Sequence, residues 1–533
     1  MVKHNAGNTI NSDSKLVKNL RFSWQAALLC LSILTISACG GSSNGSADDT
    51  PPIVTPAPPV LVEPKITLVS FLVMDNPELE TDITLQVSGN QITGRVSAKV
   101  NLSDLVARVE HTGATLLLDD VTQVNASTAN DFRQIRTYTV VMDDQRLADF
   151  TLDITKFTGL PIIYLDTVGQ GPIDSKEDYI EGGFRIDGGR HFGDKSRVEM
   201  KIRGRGNSTW FVHPKKPFQM KLEDKDSVFG MPDKKKWLFL AEYSDKTMLR
   251  NTIAFEMGYL STLDWTPRSE FAEVFINEQY NGTYNISEKV EEGSNRVNLG
   301  DDGFLLEIDQ LDRQDEDDVY FYSDRFLIAI KEPEVEWDDE QYQFISAHIN
   351  QFESVLFGSN FSDIDAGYPS FIDVDSFVDW YLISEITKNV DSQWFSSIYF
   401  NYIPGGKIKM GPLWDFDLSF GNVDYADPEF SEGFWVKANP WIDRLFDDPA
   451  FVAKVKTRFA YFKQNQNLIL DKIDAYALQL QWAQQENDEI WSTLGVYVWP
   501  NPVVFDTYQE EVAHLKSWYS ARMTWLDGAI NDL

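Results

Sequence analysis

Apolar and polar residues alternate in short runs through the first third of the chain. Ile66-Thr67-Leu68-Val69 and residues 83–87, 92–96, 114–118 and 137–141 each fit a strand with one face toward a core. Turn residues such as Ser88-Gly89-Asn90 separate them. Several short strands at this spacing predict a small all-β sandwich over residues 65–156. Strand-like segments continue beyond it, for example residues 199–203 and 218–222, with Asn277-Glu278-Gln279-Tyr280-Asn281-Gly282 as a hairpin turn. From about Asp339 the period changes. Residues 371–388, 450–462, 468–489 and 505–531 carry apolar residues three and four apart, which is helical spacing. Residues 157–533 therefore predict one large α+β unit, with most of its Trp and Phe in the core.

The N-terminal pattern is different. Lys15, Lys18 and Arg21 precede an apolar stretch over residues 24–36, too short to cross a bilayer. Ile36-Ser37-Ala38-Cys39 resembles a lipobox, which predicts a signal peptide over 1–38 and a lipid on Cys39. The competing reading is an ordinary signal peptide with an incidental cysteine. Gly40 follows with no aspartate beside it, which resembles an outer-membrane address, on the periplasmic or surface side. Residues 39–64, rich in Gly, Ser and then Pro, predict a tether of at most about 80 Å. Cys30 leaves with the signal, so the mature chain forms no disulfide. A formal charge of -35 argues against nucleic acid as a partner, and acid-rich residues 312–318 read as solvated loop.

Some chemistries drop out. No two of the six His stand at zinc-motif spacing, and neither a Walker A nor a dinucleotide fingerprint occurs. What remains is a series of polar clusters. In Lys201-Ile202-Arg203-Gly204-Arg205-Gly206-Asn207-Ser208 a strand runs into a glycine loop with arginine forks, a pattern suited to phosphate. Lys215-Lys216-Pro217-Phe218-Gln219-Met220-Lys221 follows, where an ammonium could pair with phosphate or simply line an exposed edge. Ser244 or Asp245 looks like a helix cap. Glu288 and Glu307 alternate with apolar residues and need a cation if buried. Asn389-Val390-Asp391 ends a helix. Trp414-Asp415-Phe416-Asp417 then sets two carboxylates among aromatic residues, suited to Mg²⁺ or to a structural ion pair.

These clusters, in this order, resemble the CotH kinase family, named for a spore-coat protein kinase; the match also runs through Lys236-Trp237, Leu249-Arg250-Asn251, residues 277–284 and Glu288-Lys289. The resemblance implies an atypical protein-kinase-like bilobal domain over 157–533, using ATP and Mg²⁺ to phosphorylate Ser or Thr of a protein. It implies that Asp391 is the catalytic base and that Asp415, with Asp417, binds the metal. Arg203, Arg205 and Ser208 would line the phosphate pocket. Lys216 or Lys221 would be the phosphate lysine, with Glu288 as its ion-pair partner. The sandwich resembles immunoglobulin-like spacer modules. A surface adhesion or structural lipoprotein with a kinase-like fold and no catalytic activity, or a different one, is the alternative.

Overall fold

The computed structural model describes residues 61–533; Cys39 and the signal and tether readings lie outside them. The chain is mixed α+β and β-rich toward its N-terminal part. One eight-stranded sheet runs Arg108–His111, Ile66–Phe71, Ile83–Ser88, Gln91–Val96, Leu147–Lys156, Arg136–Val141, Thr115–Leu118, Val121–Thr122. Its two ends bury Ile66, Phe71 and Val109 in the same core as Tyr138, Val140 and Phe150. Leu147–Lys156, which the sequence reading passed over, pairs in parallel with Gln91–Val96 and joins the two ends.

A closed seven-stranded barrel follows, in the order Ile162–Thr167, Ile180–Asp187, Lys195–Gly204, Phe218–Asp226, Lys234–Leu240, Gln279–Glu288, Ser269–Ile276. Parallel pairing of the first and last strands closes it. Its interior is filled by alternate residues of each strand, such as Phe184, Ile202, Phe218, Met220, Trp237 and Val274. The expected hairpin exists but turns earlier: Asn277 and Glu278 take φ of 50° and 67°, and the strand resumes at Gln279.

A five-stranded antiparallel sheet, Tyr320–Tyr322, Leu327–Glu332, Phe304–Asp309, Ile398–Tyr402, Lys409–Met410, packs with the helices in the largest core. The helices Glu340–Leu356, Val374–Thr387, Pro449–Gln464 and Tyr508–Asn531 follow the predicted pattern. Residues 468–489 form two helices instead, Gln466–Gln479 and Ala483–Trp491. The break lets Leu480 reach the core while Asn487 reaches back to the barrel, where its Oδ1 accepts from the amide of Thr283 at 3.2 Å.

Candidate functional site

Three loops build the site. The first follows the strand Lys195–Gly204. A Cβ on Gly204 would lie 2.3 Å from the Trp210 indole, and Gly206 takes a φ of 84°, so glycine is needed at both points for the loop to fold back. Lys216 fastens the fold by donating to the carbonyls of Trp210 (2.5 Å) and His213 (2.6 Å). Arg205 turns inward instead. Its guanidinium lies 5.6 Å from the Trp414 ring centre, a cation–π arrangement. Burial lowers its pKa, and Asp415, Asp417 and Glu242 oppose that shift.

The second loop leads into the helix Arg250–Tyr259. Glu242 is buried and accepts from Asn251 Nδ2 (3.1 and 3.2 Å) and Asn285 Nδ2 (3.4 Å). Burial, with Asp245 nearby, pushes its carboxyl up to about 8. Asp245 is fully buried. It accepts from the Thr247 amide (3.0 Å) and hydroxyl (2.6 Å) and the Arg250 amide (2.8 Å), and it pairs with the Arg250 guanidinium. The helix starts five residues after Asp245, so its carboxylate caps a preceding turn as well as the helix. Asn251 Oδ1 accepts from the Phe416 amide at 2.7 Å and holds the aspartate loop against this helix.

The third loop begins where the helix Val374–Thr387 stops, at Lys388 with a φ of 51°. Asn389 is the joint. Its Nδ2 donates to the Asp415 carbonyl (3.0 Å) and its Oδ1 accepts from the Asp391 amide (3.1 Å), so one side chain sets the relative position of both aspartates. Asp415 takes a left-handed φ of 66°, and its Oδ2 accepts from the Ser397 hydroxyl at 3.1 Å. The Ser396 hydroxyl donates to Asp391 Oδ2 at 3.3 Å, and Arg313 Nη1 lies 3.9 Å from the same oxygen.

Carboxylates crowd this cleft. Burial and then Asp415 raise the Asp391 carboxyl to about 6, against the pull of Arg313. Burial, Asp415, Glu242 and Asp391 raise Asp417 well above its ordinary value. Such a set fits a divalent cation, because the ion would offset repulsion among acids that protein cations compensate only in part. No three His, Cys, Asp or Glu among the described residues form a ready cage. An ion here would take one or two carboxylates, chiefly from Asp415 and Asp417, with water and phosphate oxygens completing its shell. The raised carboxyls make a testable demand. Asp417 must lose its proton before it ligates, so Mg²⁺ affinity will rise with pH and binding will release protons. Calorimetry in buffers of different ionisation heat measures that release; an affinity flat with pH would contradict it.

Arg205, Asp391, Asp415 and Asp417 thus gather in one cluster, whereas other predicted residues lie elsewhere. Arg203 stacks over Tyr179 (4.9 Å) and donates to the Glu177 carbonyl at 3.2 Å. Ser208 is exposed at the start of the short helix Ser208–Val212. Lys221 is exposed on the outer barrel wall, because Phe218, Met220 and Leu222 take the inner face and leave the odd positions outside. Lys216 spends its ammonium on loop carbonyls. Glu288 is a correction as well: it accepts from Arg268 Nε (2.8 Å) and Nη2 (2.9 Å), with Arg296 at 3.8 Å, and pairs with neither lysine.

Of the lysines at 215, 216 and 221 the buried one is Lys215, which donates to Asn487 Oδ1 (2.9 Å) and to the Thr283 carbonyl. Burial lowers it to about 7, with Glu273 and Glu242 opposing. Glu242 was missed in the sequence although it ends the apolar run Leu238-Phe239-Leu240-Ala241, a signal that could have found it.

These groups all lie within residues 202–526, the span matched by the family model for the CotH kinase protein. The chain belongs to the CotH family. No curated protein matches it. A crystal structure from Bacteroides thetaiotaomicron, described provisionally as a glycoside hydrolase, is similar to 55% of this chain over 88% of its own, at 14% identity and a TM-score of 0.15.

Proposed function

We propose that this chain is an exported, lipid-anchored phosphotransferase that moves the γ-phosphate of ATP to Ser or Thr hydroxyls of a protein, with Mg²⁺. The observation that supports this most is geometric: Arg205 lies over Trp414 beside Asp415, and Asn389 ties Asp415 to Asp391, from loops far apart in sequence. In this reading the barrel and the helical part act as the two lobes of an atypical kinase, and the N-terminal β module, immunoglobulin-like in the sequence, is a spacer. Arg205 neutralises phosphate charge; its cation lies on an aromatic face and forms no salt bridge among the described residues. Asp391 orients the acceptor hydroxyl and takes its proton as oxygen attacks phosphorus and the bond to the β-phosphate oxygen breaks, releasing ADP. Mg²⁺ held by Asp415 and Asp417 would supply charge neutralisation on the phosphates.

Labelled ATP with Mg²⁺ and the mature chain tests the reading. Label on casein or on the chain itself supports it; absence of any nucleotide binding would favour the adhesion alternative. Anchoring has its own test. Cys39→Ala will move the protein from the membrane fraction to the soluble fraction, and retention in the membrane would remove the lipid from the proposal.

A further inference from the structure

The acid-rich stretch after the strand Phe304–Asp309 holds one cation, and that cation points inward. Between residues 309 and 318 Arg313 is the only basic side chain among five Asp and one Glu. The turn that carries it, Leu311–Arg313, is pinned at its base. Asp309 accepts from the Gln310 amide (2.8 Å) and from Gln314 Nε2 (2.9 Å). Arg313 Nη1 donates to the Ser396 hydroxyl, which donates to Asp391 Oδ2 at 3.3 Å, and it lies 3.9 Å from that oxygen directly. The Arg313 and Asp391 side chains are 25% and 16% exposed, so water screens them only partly. The other carboxyls around Asp391 are those of Asp415, Asp417 and Asp309, with the Tyr425 hydroxyl nearby. Among the described residues Arg313 is the one cation within 4 Å of the Asp391 carboxylate.

We propose that Arg313 is the positioning residue for Asp391. It acts through Ser396 and through its charge to hold one carboxylate rotamer and keep the aspartate ionised, while itself touching no reacting atom. Asp312, Asp315, Glu316 and Asp317 are exposed and keep the outer side of the turn in water, while Arg313 faces Ser396 and Asp391. The inference rests on reading Asp391 as the base, and the test separates the two.

Turnover of ATP with Mg²⁺, read as label transferred to casein, is measured for the mature chain and for Arg313→Met, Asp391→Asn and the double variant. Loss of a charge-assisted contact predicts that Arg313→Met lowers kcat roughly 10- to 100-fold. The KM for ATP stays unchanged, because Arg313 contacts Ser396 and Asp391 and no residue of the phosphate loop. Arg313→Lys recovers part of the rate, and guanidinium ion added to Arg313→Met recovers part of it too, which a role confined to folding would not allow. In the double variant the Arg313 loss disappears, because its target is already gone. Multiplicative losses, or a changed KM with unchanged kcat, would overturn the positioning role while leaving Asp391 as base. Full turnover in Asp391→Asn would overturn the base reading and this inference together. If Arg313→Met does not fold, the same outcomes are read from Ser396→Ala, which cuts the relay without removing a charge.

Discussion

Asp415→Asn will reduce Mg²⁺-dependent ATP turnover by about a thousandfold or more, the scale expected when a preorganised charge is removed from a reacting centre. Asparagine is the informative replacement. Asp415 sits at a left-handed φ of 66°, which Asn tolerates and Ala tolerates poorly. The Asn389 bond goes to the Asp415 carbonyl, so the backbone joint survives the change, and an amide oxygen can still accept from Ser397. What disappears is one negative charge beside Asp417 and Asp391. Two readouts follow. Turnover collapses, and the Asp391 carboxyl, which Asp415 pushes up, falls back toward the ordinary carboxylate range. A folded Asp415→Asn variant with normal turnover would remove Asp415 from the metal site. Asp415→Ala would give the same loss with some added backbone strain, so its thermal midpoint must be measured beside its rate.

Arg522→Met will destabilise the fold by about 3–5 kcal/mol, the cost of opening a buried ion pair. Arg522 and Glu385 both have wholly buried side chains and meet at 2.6 Å. Arg522 also donates to the carbonyls of Glu385 (2.8 Å), Ser431 (2.8 Å) and Gly433 (2.7 Å), while Glu385 accepts from the amides of Trp435 (2.8 Å) and Lys437 (2.7 Å). Methionine fills a similar volume but leaves three carbonyls and a carboxylate short of donors. The pair joins the last helix, Tyr508–Asn531, to the end of the helix Val374–Thr387, with Glu385 four residues before Asn389. Turnover should therefore fall along with stability. The urea midpoint at constant m-value measures the first effect. A shift under 1 kcal/mol would mean that the two helices are held by their apolar contacts alone.

Legibility in the sequence followed the range of the physics involved. Strand and helix periods are local, so most elements could be read within a few residues of their ends. The exceptions depended on partners. Leu147–Lys156 is a strand because two halves of a sheet needed joining, and its own run, Leu-Ala-Asp-Phe-Thr, alternates weakly at the start. The split at residues 480–482 places Asn487 under Thr283, some two hundred residues earlier, and no window of sequence contains that contact.

The aspartates of the site were legible because burying carboxylates among Trp and Phe is costly without a function or a partner to offset it. The lysines and Glu288 were misassigned for the converse reason. Lys216, Lys221 and Glu288 have the right chemistry, but the barrel decides which side of a strand faces where. Its closure turned Lys221 outward, set Lys216 on loop carbonyls and gave Glu288 two arginines.

The sequence by itself determined the mixed α+β class, the family, and that acids and arginines recur in a set order. Periodicity and residue type carry the class and the order of the polar clusters without reference to distant neighbours, and that ordered series carries the resemblance to the family. Only the tertiary structure decided that Arg205, Glu242, Asp391, Asp415 and Asp417 gather in one place, because Asn251 and Asn389 reach across the fold to the aspartate loop and Arg205 packs on Trp414 beside it.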